Sequence, residues 1–363
     1  MVPSPVRDLR TIGSDPDFWY PLLRSKRLAK GKTAAVSFAG APIVLARSAT
    51  GVVFALEDRC AHRQVPLSGG VVQGEALKCG YHGWSYDRSG RCVDVPYLGK
   101  CSLPNGVKAY PCREAYGLIF VFPGDPALAE RVPFPHVPAS LGTSYKTRFL
   151  EREIGCHFTF MHENLMDMNH QFLHRSLMGS IKPTLLGTQE GADWLEASFT
   201  FDRLDGKASL GETFMLGAAE AVTTTKIDVM VIRTRYPYQT LTFTRAGSAV
   251  PALDLWMAYV PVDREQRRTR SFGLMNVRRP SVPGLIHLLW PAIVWFTEGI
   301  FGQDQAIMEA EQRAHDAQGG DLNQEVFPVI RRLREVLRSS GLRQTSEVAR
   351  SEARGLPIAA ALV

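Results

Sequence analysis

The chain has 363 residues, 45% hydrophobic and 21% charged, with a formal net charge of +6. That length exceeds what one compact core usually carries, so two domains are expected, and the composition excludes a disordered or fibrous chain. Six cysteines are too few for a disulfide scaffold at this length. The positive charge is spread out and never interleaved with aromatics as a nucleic-acid groove requires, so no nucleic-acid partner is expected. The first residues lack an apolar core behind a basic start, which argues against a secretory signal and for a reducing cytoplasmic location. The longest apolar block, Leu285 to Phe296, holds His287 and Pro291. It is shorter than the ~20 residues a bilayer demands, so no membrane span is expected.

In chain order, Ala34–Phe38, Ile43–Ala46, Val52–Leu56 and Leu118–Phe122 read as short strands between Gly, Pro and Ser turns. They predict a small all-β module over 16–125, followed by a proline-rich linker from Pro126 to Pro138. The rest, 126–363, reads as a second domain on which residues 1–15 pack. Phe158 to Leu177 lacks Gly and Pro and predicts one helix. Strands follow at Leu195–Phe201, Ile227–Tyr236, Thr240–Thr244 and Leu253–Val260, with Ser271–Val277 as a fifth. Helices close the chain at Asp304–Asp316 and Glu325–Ser339, and the tail from Thr345 is small and polar. Strands and helices in blocks rather than in alternation predict an α+β fold with an antiparallel sheet.

The first chemical motif is Cys60-Ala-His62, then sixteen residues, then Cys79-Gly-Tyr-His82. Each half supplies one thiolate and one imidazole from a tight loop. A Rieske-type [2Fe-2S] cluster needs this inventory, two Cys on one iron and two His on the other. The alternative is a Cys2His2 zinc site in a binding module, but zinc fingers normally pair like with like.

The second motif is Glu163-Asn164-Leu-Met-Asp167-Met-Asn169-His170-Gln-Phe-Leu-His174. On one helix at about 100° per residue, Asp167, His170 and His174 fall within an arc of roughly 60°. Non-haem iron(II) oxygenases hold iron with two His and one carboxylate and leave positions open for dioxygen and substrate. Asp167 is the local candidate for the carboxylate. Asn164 and Asn169 could donate hydrogen bonds behind the ligands, and His157 and His162 are the nearby alternative imidazoles.

Cys60-Ala-His62-Arg63 and Cys79-Gly-Tyr-His82-Gly83-Trp84 resemble the cluster signature of the Rieske non-haem iron oxygenases. Gly302-Gln303-Asp304-Gln305-Ala306-Ile307 is similar to the family's carboxylate segment at the start of a helix. The resemblance implies Asp304 as the third ligand to mononuclear Fe(II), beside His170 and His174. Asp167 would then bridge the iron site to the cluster histidine of a neighbouring subunit in a head-to-tail homotrimer. A plain N-cap is the alternative role for Asp304, and Glu309 and Glu311 are the other carboxylates nearby.

Two departures from the pattern stand out: Gln64 where the family often has Gly, and three rather than four residues between His170 and His174. Cys92, Cys101, Cys112 and Cys156 read as reduced packing thiols. The implied fold is an N-terminal all-β Rieske domain plus a helix-grip-like catalytic domain. The implied protein is a terminal oxygenase component that uses O2 as co-substrate. Its electrons come from NAD(P)H through a flavin reductase or a ferredoxin, and an acidic partner would meet Arg59, Arg63, Arg88 and Arg91 around the cluster loops. Its substrate is expected to be a small apolar molecule, aromatic or alicyclic, that is hydroxylated or oxidatively demethylated. Ring cis-dihydroxylation is the alternative reaction, and a bare Rieske electron carrier the alternative class.

Overall fold

The computed structural model describes residues 8–98, 106–204, 208–217 and 227–343. Cys101, residues 1–7 and the tail from Thr345 lie outside the described residues. The N-terminal layer is all β. Thr33–Phe38, Ala41–Arg47, Val53–Glu57 and Ala109–Tyr110 form one antiparallel sheet, and a second is built from Val71–Gln73, Ala76–Lys78, Ser85–Tyr86 and Cys92–Asp94. A three-stranded sheet pairs Leu118–Val121 with both Tyr20–Arg24 and Cys112–Ala115.

Two loops of this layer share one backbone design. Cys60 N–H donates to Val65 O at 2.8 Å while Gln64 N–H returns to Cys60 O at 2.9 Å. In the other loop, Cys79 N–H donates to Trp84 O at 2.8 Å and Gly83 N–H returns to Cys79 O at 3.2 Å. The fourth residue after each cysteine must be left-handed to close this turn: Gly83 at φ 75 and Gln64 at φ 62. That requirement explains why glycine suits the position that Gln64 occupies here.

The larger layer is a seven-stranded antiparallel sheet in the spatial order Tyr145–Ile154, Thr269–Arg278, Leu253–Pro261, Tyr238–Thr244, Val229–Arg235, Trp194–Arg203, Ile181–Glu190. The interior strand Leu253–Pro261 is buried on both faces. Leu253, Leu255, Met257 and Tyr259 enter one hydrophobic core with the helices, while Trp256, Ala258 and Val260 enter another with Trp19, Phe120 and Phe122 of the β layer. The period-two alternation of a strand thus joins the two layers through one element. Five of the strands match the sequence reading within a few residues. The two not anticipated are Tyr145–Ile154, laden with charge, and Ile181–Glu190, an exposed edge interrupted by Pro183 and Gly187.

Five helices cover the other face: α1 (Phe158–Met166), α2 (Arg175–Met178), α3 (Leu210–Leu216), α4 (Leu285–Gln318) and α5 (Pro328–Ser340). The single helix expected from Phe158 to Leu177 is instead three pieces. Asp167 has ψ 95, which stops α1, and its carboxylate accepts from Asn169 N at 2.9 Å to open a 3-10 turn over Met168–Phe172. Helix α4 starts nineteen residues before the expected Asp304 and runs through Pro291, its seventh residue, with the loss of one main-chain hydrogen bond. By length and composition alone α4 could cross a membrane, and only 22% of its apolar window is buried.

The N-terminal segment is tied to this helical side. Ile12–Gly13 pairs with Leu342–Arg343, and Arg10 is ion-paired with Glu163 of α1. His157 caps α1, and its Nε2 donates to Ile12 O at 3.1 Å. His162 is fully buried against Tyr259, at 4.7 Å between ring centroids.

Burial pushes the pKa of both His157 and His162 down to about 3. Their neutral rings bind a proton below pH ~6.5 only when the chain unfolds, so stability present above that pH is lost as pH falls toward 3. Acidification from pH 7 to 5 is expected to cost about 2 kcal/mol per histidine, read as a falling chemical-unfolding midpoint. A flat profile across that window would contradict the neutral buried state. Gln64→Gly should relieve the left-handed strain and stabilise the β layer by up to about 1 kcal/mol. Thermal unfolding of the two proteins side by side checks this, and a lower midpoint would show that the Gln64 side chain matters more than its backbone.

Candidate metal centres

The two loops carry their four candidate side chains to one tip. Cys60 and Cys79 are nearly fully buried, and His62 and His82 stand half-buried above them with ring centroids 4.6 Å apart. Trp84 stacks flat on His62 at 4.9 Å and donates its indole N–H to Tyr97 Oη at 2.7 Å. Tyr81 leans on His82 at 3.7 Å. The Tyr86 hydroxyl lies 3.1 Å from Cys60 Sγ and accepts from Ala61 N at 3.0 Å. His62 Nδ1 is buried without a hydrogen-bond partner, a cost that a metal bond would remove. Burial, reinforced by the neighbouring Cys60, raises the pKa of the Cys79 thiol, so both sulfurs share one pocket. Two sulfurs and two ring nitrogens in this arrangement suit a Rieske cluster.

The remaining described cysteines are free, with Cys92 and Cys156 buried. Burial pushes the Cys112 and Cys156 thiols up to about 12, which keeps them protonated. Of the four arginines near the loops, Arg59 is committed to Glu57 by two hydrogen bonds of 2.8 and 3.0 Å. Arg63, Arg88 and Arg91 remain exposed.

The second centre assembles across the break after α1. His170 Nε2 lies 3.7 Å from Asp304 Oδ1 and His174 Nε2 lies 3.2 Å from it. The three donor atoms fit within 4.8 Å of one another, the one such single-ion grouping of His, Cys, Asp or Glu found among the described residues. Each imidazole is held by its other nitrogen: His170 Nδ1 by the main-chain carbonyl of Asp167, His174 Nδ1 by Gln303 Oε1 at 2.8 Å. Such bonds fix the tautomer and leave Nε2 free to ligate. His174 Nε2 and Asp304 Oδ1 are buried without a well-formed hydrogen bond. A divalent cation held by His170, His174 and Asp304 would satisfy both atoms.

Asp304 sits deep inside α4 rather than at a helix start, so capping does not account for it. Asp167 contributes its carbonyl, not its carboxylate, which is held by Asn169 N and Nδ2. Asn164 lines a small apolar cavity with Tyr259, Phe301, Asp304 and Met308. Glu309 accepts from Gly155 N and Gln305, Glu311 is exposed, and His157 and His162 stand apart from the grouping. Sequence reasoning missed Gln303 and Tyr86. Gln303 adjoins Asp304 and could have been flagged on that ground; Tyr86 carries no spacing signal.

Between His170 and His174, Gln171 is 7% exposed and its Oε1 has no partner. It lines a narrow cavity walled by Met178, Ile181, Phe201, Leu216, Met230 and Phe243. The charged groups at that wall are paired, Arg203 with Glu212 and Asp228 with Arg245.

Comparison with known proteins bears on both centres. Residues 18–111 match the model of the Rieske [2Fe-2S] domain, and residues 154–333 match the vanillate O-demethylase oxygenase C-terminal domain. A 4beta-methylsterol monooxygenase of Methylococcus capsulatus is 34% identical over 321 residues, covering 84% of this chain and 83% of that one. The oxygenase component of dicamba O-demethylase from Stenotrophomonas maltophilia is 35% identical over 161 residues, 44% of this chain and 47% of that one. Among solved structures, dicamba monooxygenase bound to dicamba superposes with a TM-score of 0.73 at 20% identity, covering 94% of this chain and all of that one, a likeness of fold. The chain therefore belongs to the Rieske non-haem iron oxygenases, as an oxygenase component that carries a Rieske [2Fe-2S] cluster and a mononuclear iron and takes its electrons from a redox partner.

Proposed function

We propose that Cys60, His62, Cys79 and His82 hold the cluster, that His170, His174 and Asp304 hold the iron, and that the enzyme hydroxylates or oxidatively demethylates a neutral apolar molecule. The observation that carries the reading is the convergence of two oriented imidazoles and one buried carboxylate on a single point. Iron bound there supplies dioxygen activation, and the cluster supplies electrons singly.

The protein's own part is orientation and exclusion. The carbonyl of Asp167 and the amide of Gln303 aim the two imidazoles. The exposed Tyr81 and half-buried His82 present the cluster side to a docking partner. Asp167, half-buried at the break after α1, suits a bridge to the cluster histidine of a neighbouring copy in a head-to-tail homotrimer. We place the division between the domains at 125/126 and the enzyme in the cytoplasm, with a flavin reductase or ferredoxin as its electron source.

Substrate character follows from the Gln171 cavity. Its wall is mostly apolar, its charged groups are paired with one another, and two buried oxygens, Gln171 Oε1 and Glu212 Oε2, have no hydrogen-bond donor. A carboxylate or sulfonate entering it would lose hydration without gaining a free cation, whereas a hydroxyl could donate to Gln171. The Methylococcus relative, named for a methylsterol, supports an alicyclic alcohol over an aromatic acid.

Asp304→Ala is expected to retain the dithionite-reduced Rieske EPR signal, lose the third iron and stop turnover. Loss of the cluster signal instead would overturn the ligand assignment. Gln303→Ala, which frees the His174 ring, should weaken iron binding roughly 10- to 100-fold in a chelator titration. Tyr86→Phe removes one hydrogen bond to a ligand sulfur of about 1.4 kcal/mol. It should lower the cluster midpoint potential, by up to roughly 60 mV if the whole of that energy is realised only with the more negative reduced state, as read in a redox titration. Substrate-dependent oxygen uptake should favour a 4-methylsterol over its sulfate ester and over vanillate; the reverse order would contradict the neutral-substrate reading.

A further inference from the structure

The exposed face of α4 matches neither a soluble surface nor the iron site. Leu288 and Trp295 are 78% and 70% exposed, and Val282 just before the helix is 61% exposed. Around the helix axis the exposed Leu288, Pro291 and Trp295 fall within an arc of about 60°, opposite the buried Ile286 and Ile293. Spanning a bilayer is excluded by that second face, which is built into the catalytic core. A helix with one face in the protein and an apolar face outside is placed to lie on a membrane rather than through it.

The charge beside this stripe is one-sided. No acidic residue occurs from Gln266 to Thr297, and the first that follows, Glu298, is bound by Arg148 and Arg152. Lys146 and Arg279 both contact His287, at 3.0 and 3.5 Å, and the Lys146 ammonium stands 4.3 Å over the Trp290 ring. Arg278 and Arg279 are exposed, and among the described residues their side chains bond to Ser248, to Tyr145 O and to His287 and to no carboxylate. Cations gathered without a counter-charge beside exposed Leu and Trp match the two layers of an anionic lipid surface, phosphate outside and acyl chain beneath.

We propose that the face formed by Val282, Leu288 and Trp295, with Lys146, Arg278 and Arg279, docks the oxygenase on an anionic phospholipid membrane. Trp295 lies nine residues before Asp304, about 14 Å along the axis of α4. The docked face and an iron ligand thus share one rigid element, and α3, which walls the Gln171 cavity, packs on the buried side of that element. An apolar substrate dissolved in the bilayer would meet the enzyme beside its active site. The proposal goes beyond the oxygenase reading, and its test involves no turnover, so either can fail alone.

The holoenzyme is sedimented with vesicles of three parts phosphatidylcholine to one part phosphatidylglycerol, and with pure phosphatidylcholine. Wild type should pellet with the anionic vesicles, with a blue shift of tryptophan emission that Trp295→Phe removes while binding persists. Leu288→Asp combined with Trp295→Asp should reduce binding at least about tenfold, with the cluster spectrum unchanged as proof of folding. Arg278→Glu combined with Arg279→Glu should reduce anionic binding roughly tenfold, toward the level on pure phosphatidylcholine. Wild type remaining in the supernatant with both vesicles would overturn the proposal. So would a wild-type oligomer that the Leu288/Trp295 double variant dissociates in light scattering, because a second copy would then cover this face.

Discussion

A buried carboxylate that touches two imidazoles organises the catalytic half of the molecule. Asp304 is almost withdrawn from water, and its Oδ1 has no well-formed hydrogen bond. Burying an ionised group this way is costly unless a positive charge meets it. The fold nevertheless brings Asp304 and two histidines together from segments some 130 residues apart in the chain. The break after α1 exists to allow it: the extended backbone at Asp167 turns the chain so that its own carbonyl can hold His170. One continuous helix would have directed the imidazoles differently and left that carbonyl inside the helical ladder.

The two centres differ in how they are built. The cluster site is local, two copies of one turn whose backbone bonds run between residues four and five apart. The iron site is distant in sequence, and its parts come from a 3-10 turn, a loop residue and the middle of a long helix. The interior strand Leu253–Pro261 links the layers behind them by burying alternate residues in different cores. Helix α4 performs a second linkage, with core on one side, open apolar surface on the other, and Asp304 of the candidate iron site near its midpoint.

That contrast decides what could be seen in the sequence. Cys60, His62, Cys79 and His82 stood out as candidates because their chemistry and their spacing lie in the same short stretch. His170 and His174 were legible as a pair, although the helix invoked for them does not exist as one piece. Asp304 emerged only from likeness to a family, since no local pattern separates a ligand from a cap. Tyr86 and the carbonyl of Asp167 were invisible, because one depends on a sheet register and the other on the main chain. The strands Tyr145–Ile154 and Ile181–Glu190 escaped because charge and exposure erase the alternation that marks a half-buried strand. The start of α4 was placed too late, because the stretch before Asp304 read only as an apolar block holding Pro291, and α4 runs through that proline.

The most direct test of this account is a count of iron and acid-labile sulfide on anaerobically purified protein, with EPR after dithionite reduction. Three irons and two sulfides per chain, with a Rieske signal, are the result expected of two separate centres built as described. A colourless protein loaded with zinc would contradict the account at its root. Two irons that resist supplementation with iron(II) would show that the His170, His174 and Asp304 grouping does not bind the metal its geometry suits.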